Sequence, residues 1–124
     1  MTALTDARTT LVAAYTDADL IAYGYTPAAL VPPAVIVGYG SPWLEPNRVG
    51  AFSAKVAYTV TAVVAVLDAA TSIAALEDLV AAIIAATPPG FLITSVDSPR
   101  NDGTASQGAT LEADVNLTAQ VKEG

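Results

Sequence analysis

The sequence predicts an α+β fold, a small mixed or antiparallel sheet of four to five strands packed against two helices. Three observations carry this expectation. Two stretches repeat apolar residues at helical spacing, two long stretches alternate between apolar and small or polar residues, and clusters of Gly, Pro, Asn and Asp separate them. At 124 residues the chain has room for one core, so residues 1–124 are read as a single domain.

Leu4, Ala7, Leu11, Ala14, Tyr15 and Ala18 recur with the helical period, while Asp6, Thr10 and Asp17 fall off that stripe, which predicts a first helix over residues 3–18. A short apolar piece over residues 20–23 follows. The β-branched run Ala34-Val35-Ile36-Val37, closed by Gly38, reads as a buried strand. Residues 39–51 show no periodicity and contain Gly40, Pro42, Pro46, Asn47 and Gly50, so they read as a long loop. Residues 52–67 form the next strand, with Val56, Tyr58, Val60, Ala62, Val64 and Val66 on one face and Lys55, Thr59 and Thr61 on the other.

A cap at Thr71 or Ser72 opens a second helix that carries Ile73, Leu76, Val80, Ile83 and Ile84 and stops near Ala86, ahead of Pro88. Residues 91–96 read as a strand and residues 98–108 as a hairpin loop. The last strand, residues 111–121, alternates Leu111, Ala113, Val115, Leu117, Ala119 and Val121 with polar side chains. Its eleven residues would span roughly 34 Å, more than one small core requires, which predicts a strand that projects or joins a shared sheet.

Composition narrows the function. Hydrophobic residues make up 53% and charged residues 14%, with a mean hydropathy of +0.51, an apolar excess for a lone soluble domain that points to self-association. The longest uncharged stretch, residues 20–44, is broken by Pro27, Pro32, Pro33 and Pro42, so no membrane span is expected. The first residues lack a secretory signal, which predicts cytoplasmic synthesis. The net charge is −7 and the five basic residues are scattered, against a phosphate-binding surface.

Histidine and cysteine are both absent, which removes the usual bases, thiol nucleophiles and soft metal ligands. Gly38-Tyr39-Gly40-Ser41 lacks a P-loop lysine and reads as a turn; Asp17-Ala18-Asp19 and Asn101-Asp102-Gly103 do not continue into a calcium loop. Glu112 and Asp114 point the same way along one strand, a solvated face before it is an acidic functional one. The chain is therefore read as a non-enzyme without catalytic, cofactor-binding or metal-binding residues. Trp43 is either a cover for its own core or a partner anchor.

The order helix, short strands, Pro32-Pro33-Ala34-Val35-Ile36-Val37-Gly38, a loop with Leu44-Glu45-Pro46, one long strand, helix and two strands resembles the tail terminator proteins of long-tailed bacteriophages. The likeness is to those of phages infecting actinobacteria in particular, and it covers nearly the whole chain. It implies a virion protein of the tail neck, made in the host cytoplasm. Such a protein forms a hexameric ring, caps the tail tube, stops its polymerisation and joins the head connector. The implied partners are further copies of the chain, the tail tube protein and a neck protein, with DNA passing through the ring without specific binding.

Residue roles come from the pattern alone. Tyr39, Trp43, Leu44, Glu45 and Arg48 are expected in one contact loop, Arg100, Asn101 and Asp102 in a second, and Glu112 and Asp114 at the lumen. The alternatives are another neck component, such as a head-tail connector or tube subunit, a small α+β enzyme using a buried carboxylate, or a dimeric ligand-binding module.

Overall fold

A computed structural model of the chain describes residues 3–25, 27, 31–46, 53–66, 68–102 and 110–122. Among these the α+β architecture is present, with two helices and a six-stranded mixed sheet. Helix α1 (Ala3–Asp17) buries Leu11 and Tyr15, four residues apart and hence on one face. It ends where Ala18 and Leu20 both return backbone hydrogen bonds to the Tyr15 carbonyl and Asp19 takes φ 66°, a left-handed stop.

Strand β1 (Ala22–Tyr23) runs parallel to the start of β2 (Ala34–Pro46). Strand β3 (Ser53–Ala65) pairs antiparallel with β2 and, on its other side, with β6 (Thr110–Lys122). The ends of the strand predicted over residues 52–67, Phe52 and Leu67, lie outside the described residues. Strand β4 (Phe91–Val96) and β5 (Arg100–Asp102) both pair with β6, and because β3 occupies the whole of one side they share the other. The order is β1-β2-β3-β6-β4.

The last strand does not project as its length led us to expect. All 13 residues of β6 are matched by β3, from Thr110 opposite Ala65 to Lys122 opposite Ser53. Two equally long neighbours satisfy each other's backbone groups, so the length is used within the domain.

Both helices contribute to the core on one face of the sheet. Leu11 and Tyr15 of α1 and Leu76 and Ile83 of helix α2 (Ala69–Ala86) pack with alternate residues of the strands, including Val35, Val56, Val60, Val115 and Leu117, all essentially inaccessible. Alternation decides this face, because side chains two apart on a strand share a side. The N-cap of α2 is Asp68, not Thr71 or Ser72. Its carboxylate accepts from the Thr71 amide at 3.0 Å and from the Thr71 hydroxyl at 2.7 Å, which places Thr71 inside the first turn. Ile73 and Ile84, expected on the core stripe, stand exposed. Among the described residues no helix is long and apolar enough to cross a membrane.

Candidate interaction surface

The predicted contact loop at residues 39–51 is a strand for most of its described length. β2 continues to Pro46 and pairs with β3 on both sides of a register shift that lies between Tyr39, opposite Tyr58, and Leu44, opposite Val56. Gly40, Ser41, Pro42 and Trp43 thus bulge out against the single residue Ala57. Gly and Pro read as strand breakers, but both are tolerated where a strand lies at a sheet edge or bulges. β1 covers only Val35 and Ile36, leaving the rest of β2 as an edge among the described residues. Gly40 is required by close approach: a Cβ there would lie 2.7 Å from the Ala57 Cβ. Residues 47–51, with Arg48, lie outside the described residues.

Four of the expected contact residues are placed. The Tyr39 and Trp43 rings meet at a centroid distance of 4.9 Å, and both remain about half exposed. Leu44 instead packs against the core, and Glu45 pairs with Lys55 at 3.7 Å on the surface. Sequence reading missed two residues of this site. Arg8 of α1 donates from Nη1 to the Tyr39 hydroxyl at 3.0 Å, and Tyr58 of β3 lies beneath Tyr39 at 6.4 Å between ring centroids. Together with Leu4, Thr5 and Trp43 they line a cleft of about 200 Å³. Burial pushes the Tyr58 phenol upward, the neighbouring Tyr39 adds to this, and Arg8 partly offsets it. A signal for Arg8 existed, since it is the only basic residue within the first helix.

The second expected contact loop is also strand where described. Arg100, Asn101 and Asp102 form β5 and face Glu112, Leu111 and Thr110. Residues 103–108 lie outside the described residues. Arg100 binds Glu112 at 3.1 Å and Asp114 at 2.9 Å, so the proposed lumen residues are not a bare acidic pair. Asp114 also accepts from the Thr61 hydroxyl at 2.8 Å and Glu112 from Thr110 at 2.9 Å. The reason is register: Arg100 sits opposite Glu112, and Asp114 is the next residue along the same face. The hydrogen bond to Asp114 is the main cause that holds the Arg100 guanidinium above its ordinary range.

Across the sheet, β4 forms an edge among the described residues, with Leu92 and Val96 exposed. Between β4 and α2 lies a second cleft of about 300 Å³, walled by Leu76, Val80, Ile84 and Val96 and flanked by Glu77 and Asp97. The exposed large apolar side chains of the described residues divide accordingly. Ile21, Tyr25, Val31, Tyr39 and Trp43 belong to the β1–β2 part of the chain, and Ile73, Ile84, Leu92 and Val96, with Val66 just ahead of α2, to the other. Among the described residues no three acidic side chains converge on a metal-sized site. No protein-family model matches the chain, and no curated protein sequence matches it.

Proposed function

We propose that the chain is a structural subunit of a phage virion, a tail terminator that assembles as a ring at the tail neck. There it caps the tube, ends tube polymerisation and joins the head connector. The observation that carries the ring is the division of exposed apolar side chains between the two sides of the sheet. A closed ring is built from heterologous contacts, for which each subunit must offer two different surfaces, whereas a two-fold dimer needs one. The tail assignment rests on the resemblance in element order and on the Pro32–Gly38 and Leu44-Glu45-Pro46 motifs.

The helix-free face of the sheet suits passage of DNA. It presents Thr59, Thr61, Glu112, Asp114 and Asn116, with Arg100 and the two carboxylates leaving one net negative charge at that spot. Such a face offers little to bind a phosphate backbone. Engaged in these ion pairs, Glu112 and Asp114 lend no support to the carboxylate-enzyme reading.

The test is to add purified chain to tail tube protein during polymerisation and to image the products. Arrest of growth, with a ring of density at one end of each tube, is the expected result. Tubes that grow to the same lengths with bare ends would overturn the proposal.

A further inference from the structure

We infer that the Tyr39–Trp43 bulge of one copy docks into the α2–β4 cleft of a second copy, with Arg8 of the first reaching Glu77 and Asp97 of the second. This pairing rests on the ring reading and specifies its contacts.

Charge complementarity selects the occupant. Among the described residues Arg8 is the only charged side chain lining the aromatic cleft, and it makes no ion pair there, bonding instead to the neutral Tyr39 hydroxyl. Among the described residues Glu77 and Asp97 are the only charged side chains lining the opposite cleft, both are exposed, and neither is ion-paired. One surface thus offers apolar rings and a cation, the other an apolar slot and two anions.

Position supports a head-to-tail arrangement. β2 and β4 are separated by β3 and β6, three strand spacings or roughly 14 Å, so one copy cannot satisfy itself through these surfaces. Each copy has one surface of each kind, and the contact therefore propagates from copy to copy. The backbone chemistry indicates which groups meet. Pro42 lacks an N–H at the centre of the bulge, which opposes extending the sheet by strand addition at that point, while Tyr39 and Trp43 project apolar area suited to a slot. On the receiving side, β4 carries no charge and no proline that would protect an edge, and its Leu92 and Val96 lie open.

Charge reversal tests the pairing. R8E alone and E77R/D97R alone should each weaken self-association at least about tenfold by sedimentation, measured in solution and on tail tubes. An equimolar mixture of the two variants should regain wild-type association, because every contact between unlike copies then joins opposite charges. Circular dichroism verifies that each variant is folded, and E77R/D97R alters only exposed side chains. A photoreactive residue at position 43 should cross-link to residues 73–97 of another copy. Association that persists unchanged in both variants, or that fails to recover on mixing, overturns the docking while leaving the ring intact. Absence of any self-association, in solution and on tubes alike, overturns both.

Discussion

Arg100 and Asp114 meet at 2.9 Å across the pairing of β5 with β6, and the same guanidinium reaches Glu112 at 3.1 Å. One cation on a three-residue strand thus holds two carboxylates that a reading of β6 alone leaves free. The bonds also add side-chain attachment to the backbone pairing of β5 with β6.

Replacing Arg100 by Ala should therefore act locally. The Arg100 side chain is 48% exposed, so solvent screening limits each ion pair, and the global loss is expected at about 1 kcal/mol. Amide exchange around residues 100–102 and 110–112 should accelerate well beyond that of β3. Uniform exchange rates across β5 and β3 in the variant would count against this role.

Gly40 admits no side chain without moving β3. Because the Ala57 Cβ is fixed to its backbone, Gly40→Ala must open the bulge, at an expected cost of about 1–3 kcal/mol in urea denaturation. Adding Ala57→Gly restores the space and should recover part of the loss. No recovery in the double variant would show that the site is not limited by this contact.

Trp43→Ala discriminates between a core cover and an anchor. With 42% of its surface exposed and its ring tilted against that of Tyr39, Trp43 contributes little to the core proper. We expect a small change in melting temperature and a loss of about 2 kcal/mol or more in association with its partner. A large drop in melting temperature with undiminished ring assembly on tubes would refute the anchor role.

The two ends of the pH scale should involve different residues. The Thr71 amide, and then the Thr71 hydroxyl, hold the Asp68 carboxyl below the usual carboxylate range. A depressed folded value means that its contribution is present above the unfolded value, near 4, and is lost as pH falls through the folded one. Asp68→Asn keeps a capping oxygen and should flatten the acid limb of a melting curve against pH, whereas Asp68→Ala should lower stability at neutral pH as well.

On the alkaline side Tyr15 acts beside Tyr58, whose phenol burial also raises. Burial raises the Tyr15 phenol above the ordinary value of 10.0, partly offset by the bond to Thr87 at 3.0 Å. That bond ties α1 to Thr87, the C-cap of α2. A raised folded value means that stability is complete below pH 10 and declines as pH rises through the folded value. Tyr15→Phe should cost about 1 kcal/mol at neutral pH and reduce the alkaline decline; an unchanged alkaline limb would exclude Tyr15 as its source.

Both helices, the long third and last strands and the short strand at residues 91–96 were legible in the sequence. Each has a repeat that local geometry must obey, 3.6 residues for a helix and two for a strand. Val56 to Val64 and Leu111 to Val121 could be assigned to a buried face before any coordinates, because alternation leaves them no other common side. The strand character of residues 39–46 was not legible, since Gly40 and Pro42 signal a break and only an edge position with a bulge makes them acceptable.

By itself, then, the sequence determined the fold class, the core faces of the strands and the want of histidine and cysteine chemistry, all of which depend on residue identity or short-range spacing. The tertiary structure decided which distant residues share a site. Arg8 and Tyr39 lie 31 positions apart, and Arg100 finds Glu112 and Asp114 only through the register of β5 on β6. It also decided that Ile84 and Val96 form one cleft on the side of the sheet away from the β2 bulge. Strand order and register arise from pairing between segments far apart in the chain, and no local repeat encodes them.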